Sequence, residues 1–207
     1  MNKLKRYATV VAISALAISP ISPAQAAEAE LKTTPLTEVL NLPRASFDNN
    51  LGDFDVFTSV FMDVWGALPE SPVAAISKGE TALTAFVPTD RAFRNLVRHL
   101  TGKAPRSEDA IAAAVKTLGA ETLEKVLLYH VVVGDPILSP AALQANGASL
   151  ASAGGQNFRV KVEGTNITLI DRVAKHKNAV VLLNLVDINK GNKQVAHGIN
   201  QVMLPKL

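Results

Sequence analysis

Thr81-Ala-Leu-Thr-Ala-Phe-Val-Pro-Thr-Asp-Arg-Ala-Phe93 is the stretch that decides the fold. Leu83 to Val87 is a short apolar run with β character, and Pro88 closes it by removing a backbone donor. Thr89 then has the side chain of a helix N-cap, and Asp90 falls in the first turn, where a carboxylate suits the helix dipole. Phe93, Leu96, Val97 and Leu100 recur at helical spacing. The stretch therefore predicts a strand running straight into an amphipathic helix. Two later blocks have the same make-up of an apolar run joined to polar punctuation: Leu127-Leu-Tyr-His-Val-Val-Val-Gly134 and Val195-Ala-His-Gly-Ile-Asn-Gln-Val-Met-Leu-Pro205.

Working outward, Phe57, Val60, Phe61, Val64, Trp65 and Leu68 mark one face of a helix ended by Pro69, with Trp65 read as core. Ser107 caps a third helix carrying Ile111, Ala114, Val115 and Leu118. After Gly119, the residues Leu123, Val126, Leu127 and His130 form another helical face. The period then changes. Val131–Val133 reads as a strand, and Ser139-Pro140 opens a short helix. Phe158, Val160 and Val162 alternate, Gly164-Thr-Asn166 turns, and Ile167 and Leu169 alternate again, which predicts a hairpin. Val180 to Val186 reads as a buried strand, and Val195 to Leu204 closes the domain. The expectation is one α+β domain, with helices early and an antiparallel sheet late.

The first 26 residues predict export rather than fold. A basic start (Lys3, Lys5, Arg6), an apolar stretch from Tyr7 to Ile18, and Ala24-Gln25-Ala26 have the order of a signal peptide cleaved before Ala27. The apolar stretch is short of the roughly 20 residues a membrane span needs, so no transmembrane anchor is expected. Residues 27–45, with Pro35 and Pro43, read as a leader, and 46–205 as the domain. The chain has 21 Lys and Arg against 18 Asp and Glu; losing Lys3, Lys5 and Arg6 brings the basic count to 18. A neutral secreted chain has no footprint for nucleic acid. There is no cysteine, so disulfides, catalytic thiols and thiolate metal sites are excluded.

The three blocks together resemble the fasciclin (FAS1) domain family. Thr84, Phe86, Pro88, Thr89, Asp90, Ala92 and Phe93 match its first motif. Leu128, Tyr129, His130 and Gly134 match its Tyr-His motif, and Val195, His197, Ile199, Val202, Leu204 and Pro205 its closing stretch. The chain departs from the family pattern at Lys193-Gln194, where Asn-Gly is usual, at Asn200 in place of Asp, and at Gly198 in place of a β-branched residue. The resemblance implies the FAS1 fold, with N-terminal helices packed on an antiparallel β-wedge or sheet, and a secreted, non-enzymatic module for extracellular adhesion, matrix or cell-envelope association. The partner would be an extracellular or envelope protein or glycan. Pigment-binding relatives imply the alternative, a carrier of a small apolar ligand such as a carotenoid-like molecule.

Chemistry-bearing residues are few. The four histidines, His99, His130, His176 and His197, are scattered, and neither H-E-x-x-H nor G-x-S-x-G is present. His99 and His176 lie in polar surroundings and read as solvated. His130 and His197 lie in apolar runs and read as hydrogen-bonded core histidines, with Asp90 a partner for one of them. Tyr129 with His130 could hold a haem iron axially, but neighbours on a helix point about 100° apart. Asp187-Ile188 stands where adhesion members of the family carry an integrin-contacting Asp-Ile. The resulting expectations are binding positions at Tyr129, His130, Asp187 and Ile188, motif positions that serve structure at Thr84, Phe86, Pro88, Thr89, Asp90, Phe93 and His197, and no catalytic residue, metal or cofactor.

Overall fold

A strand that is apolar at consecutive positions must be covered on both faces, and β1 (Leu83–Pro88) is buried at all six. A computed structural model describes residues 30–41, 46–174 and 176–207; the signal-peptide reading lies outside them. Leu83, Ala85 and Val87 face a helical core, while Phe86 faces a second apolar cluster. That alternation is the two-residue period of a strand at work. β1 is the middle of a three-stranded sheet. It pairs antiparallel with β2 (Val131–Val133) and parallel with β7 (Gln194–Ile199), in register Phe86↔His197. The parallel pairing is not part of the antiparallel wedge expected from sequence.

The helical face is covered by α2 (Asp55–Ala67), α3 (Asp90–Thr101), α4 (Glu108–Lys116) and α5 (Ala120–Tyr129). Val56, Phe57, Val60, Phe61 and Val64 are the buried stripe of α2, and Trp65 packs at its edge. Burying each such side chain stabilises the fold by roughly 1.5–3 kcal/mol. Ser107 accepts the Ala110 N–H at 3.4 Å, as an N-cap should. Gly102, at φ 74°, ends α3 in the left-handed conformation that suits glycine.

The other face of β1 looks onto an antiparallel sheet formed by β3 (Ser149–Ala151), β4 (Asn157–Glu163), β5 (Asn166–Ile170) and β6 (Ala179–Val180). β4 and β5 are the predicted hairpin, in register Glu163↔Asn166. Phe158 and Val160 point inward, while Arg159 and Lys161 are exposed. Phe86 meets Phe158 edge-on, with ring centroids 5.7 Å apart.

Several expectations fail for identifiable reasons. Val180–Val186 is not a buried strand: the chain leaves β6, bridges Val181 to Ile199, and coils into a 3-10 turn at Leu183–Leu185, with Leu183 49 % exposed. It crosses between sheets, as Val181 donates to Ile167 O and Leu182 to Gly198 O. Gly198 is needed here, because a Cβ would lie 2.7 Å from the Leu185 Cβ. Thr89 sits at the N-cap of α3, but its side chain makes no capping bond. Asp90 is fully buried, and its Oδ1 accepts the Val56 N–H at 2.9 Å, capping α2 rather than its own helix or a histidine. Burial raises the Asp90 carboxyl, Asp53 and Glu108 add to the effect, and the Val56 bond opposes it.

Part of the segment read as leader packs against the domain. In α1 (Leu36–Val39), Leu36 is fully buried and donates its N–H to Gln194 Oε1 at 2.9 Å. Gln194 Nε2 in turn donates to Ala75 O and Lys78 O, at 2.8 and 2.9 Å. One buried amide thus ties two separate segments to the start of β7.

Candidate functional site

Tyr129 and His130 stand at the end of α5, where the helix gives way to β2. His130 Nδ1 donates to Val126 O at 2.7 Å, which leaves Nε2 to accept the Met203 N–H at 2.9 Å. Both ring nitrogens are used. Burial holds the imidazole neutral, lowering its pKa to about 4 against the opposing pull of the Val126 bond and Asp171. Tyr129 is fully buried, stacks edge-on to Phe158, and donates its hydroxyl to Asn157 O at 3.3 Å. Burial, with Asp171 adding and Arg172 opposing, pushes the phenol up to about 12. A neutral, hydrogen-bonded phenol and a fully engaged imidazole are not arranged as iron ligands.

His197 has the same kind of role on β7. Its Nε2 donates to Ile137 O at 2.7 Å, Nδ1 accepts the Asp187 N–H at 3.3 Å, and the ring stacks on Phe86. Burial lowers its pKa, although the Ile137 bond and the Asp187 charge favour the proton. The Asp187 carboxylate accepts both the backbone N–H and the hydroxyl of Ser139, each at 2.7 Å, at the start of α6 (Ser139–Leu143). Burial works against this charge, yet the two Ser139 bonds, His197 and Lys190 hold the carboxyl below its ordinary range. Ile188 bridges to Ala196. The Asp187-Ile188 pair thus braces β7 against α6, while Tyr129 and His130 brace other loops.

His176 corrects the sequence reading. It is buried, with Nδ1 3.5 Å from Asp171 Oδ2, and its ring meets that of His99 at 5.1 Å. The two histidines border a polar cavity of about 220 Å³ with Arg98 and Lys177. Their sequence separation of 77 positions hid the encounter, since only the fold brings α3 beside the segment after β5.

The place of one further feature was not foreseen. An apolar cleft of about 400 Å³ opens between α3, α4 and α5, with Val60 of α2 and Leu204–Leu207 contributing to its walls. Phe93, Leu96, Val115, Leu123, Val126 and Leu127 line its depth, and Leu100, 52 % exposed, stands at its lip. Helical periodicity identified these side chains as apolar faces. It says nothing about whether three such faces close on one another or leave space between them. The size and lining suit a small apolar molecule.

The comparisons bear on this geometry. The family model described as Fasciclin domain matches residues 67–205. A solved structure of a FAS1 domain pair from the insect cell adhesion molecule fasciclin I is similar at 15 % identity and a TM-score of 0.47. The match covers 70 % of this chain and 47 % of that one, so the chain spans about half the length of that pair. Comparison with the curated proteins finds no match.

Proposed function

The chain belongs to the fasciclin domain family, and on that premise we propose that it is a secreted, non-enzymatic binding module for extracellular adhesion or for matrix or cell-envelope association. One observation carries the reading: the motif side chains able to do chemistry are already engaged internally. His130, His197, Tyr129 and Asp187 spend their polar atoms on backbone groups and on Ser139. What remains for a partner is surface. No helix among the described residues is long and apolar enough to cross a membrane. The partner class is an extracellular or envelope protein or glycan. The test is retention of purified protein lacking residues 1–26 on cell envelopes and matrix, against a charge-matched control protein. Retention that saturates and survives added salt supports the reading; no retention on either surface overturns it.

The cleft favours a second reading, a carrier of a small apolar ligand of the carotenoid-like kind. Its walls are apolar and its volume lies within the range of roughly 300–1,000 Å³ typical of ligand pockets. Protein purified from its native source should then carry an absorption band that organic solvent extracts. A Leu96→Trp variant, filling the cleft, should lose that band while keeping its retention on surfaces.

A further inference from the structure

The loop before α2 and the first residues of α3 and α4 bring five carboxylates together. Asp53, Asp90 and Glu108 each place an oxygen within 4.8 Å of the other two, and Asp48 and Asp55 do the same around Asp53. Asp90 and Glu108 are fully buried. Each accepts one backbone N–H: Val56 to Asp90 Oδ1 and Asn49 to Glu108 Oε2, both at 2.9 Å. The second oxygen of each, Asp90 Oδ2 and Glu108 Oε1, is buried with no hydrogen-bond partner, as is Asp53 Oδ1. Among the described residues, none of the five makes an ion pair with lysine or arginine.

Helix ends explain part of this arrangement. α2, α3 and α4 begin with Asp55, Asp90 and Glu108, and each N-terminus favours a nearby negative charge. That accounts for the Asp90 oxygen that accepts the Val56 N–H at the start of α2, while the Asn49 N–H held by Glu108 belongs to the preceding loop. This leaves three buried oxygens without a partner in a cluster of carboxyl groups, and a native fold meets such atoms with a proton, a water or an ion. We propose that Asp53, Asp90 and Glu108 form a calcium site, with Asp48 and Asp55 at its mouth. The donors are all carboxyl oxygens, the set preferred by a hard divalent cation over zinc or copper. Calcium bonds of about 2.3–2.6 Å allow ligand oxygens up to roughly 5 Å apart, which spans the observed separations. Calcium also tolerates irregular shells of 6–8 oxygens, whereas magnesium demands a near-ideal octahedron. The ion would bind the Asp48–Asp55 loop to two helices that also wall the apolar cleft.

The experiment is calorimetric titration of the EDTA-treated full chain with calcium chloride and, separately, with magnesium chloride. We expect one calcium per chain with a Kd below about 1 mM, and magnesium at least tenfold weaker. Glu108→Gln keeps an acceptor for Asn49, and Asp53→Asn changes a half-buried loop residue; both should weaken calcium at least tenfold. Circular dichroism establishes that each variant is folded, and Asp53→Asn serves if the buried substitution is not. Absence of calcium binding by the folded parent, the cluster being discharged by protons or water alone, overturns the proposal. So does unchanged affinity in Asp53→Asn, or equal affinity for magnesium.

Discussion

The Met203 N–H donates to His130 Nε2 at 2.9 Å across 73 positions of sequence, joining the end of α5 to the segment that follows β7. Both groups are buried, so neither has water as a substitute partner. His130→Ala should therefore lower stability by about 1–3 kcal/mol, the cost of leaving a buried donor unmet. His99→Ala, at an exposed position, should stay within about 0.5 kcal/mol. Chemical denaturation of both variants measures the difference, read as a shift in midpoint at constant slope.

Stability should also fall in acid through the same imidazole. Its folded pKa, about 4, lies below the ordinary 6.5, so between these values the unfolded chain binds the proton and the folded chain does not. The contribution is present above about pH 6.5 and is lost as pH drops toward 4. His197 is shifted in the same direction and adds to the trend. Subtracting the stability–pH profile of His130→Gln from that of the parent isolates the effect. A flat difference across this window would contradict it.

Two glycines should respond to alanine with opposite signs. At Gly79 a Cβ would fall 1.6 Å from the backbone oxygen of Thr33, a contact the chain can relieve only by shifting residues 33–35. Gly79→Ala should cost at least about 1–3 kcal/mol. Gly66 lies within α2 with nothing inside 4 Å, so Gly66→Ala should stabilise by about 0.5–1 kcal/mol. Melting temperatures of the pair, recorded side by side, settle both.

Gln194 should tolerate neither loss nor charge. Gln194→Ala would strip partners from Leu36 N–H, Ala75 O and Lys78 O, at a cost of at least about 2 kcal/mol. Gln194→Glu would set a buried carboxylate against those carbonyls, so its penalty should be smaller at pH 4 than at pH 8. Denaturation at the two pH values, with the parent as reference, gives the comparison.

Elements whose cause lies within one stretch of chain were legible in the sequence. β1, α2, α3 and the β4–β5 hairpin follow from period and punctuation alone. The family resemblance drawn from the three motif blocks agrees with the family match over residues 67–205. What escaped depends on encounters between distant segments. Parallel pairing of β1 with β7 leaves no mark on either strand, because a strand buried on both faces reads the same in either direction. Leu36 packs into the helical core and donates its N–H to Gln194, an encounter across 158 positions. His176 looked solvated between Lys175 and Lys177 until the fold set it against Asp171 and His99. The carboxylate cluster has no sequence spacing of its own, because Asp90 and Glu108 lie far from the acidic loop at Asp48–Asp55. The density of Asp and Asn in that loop was the available signal.

The position of β7 beside β1 sets the order in which the molecule can assemble. Thr89 meets Ile199 across 110 positions, so this edge of the central strand closes only after most of the domain has been gathered. Helices α2 to α5 pack on one another across shorter separations and can form earlier, whereas pairing at such separation is slow. Until then β1, buried at all six positions of the finished fold, presents an open edge, a surface that recruits other unfinished copies as readily as its own β7. Refolding yield should therefore decline as protein concentration rises, and the race between intramolecular closure and self-association will be run at that one edge.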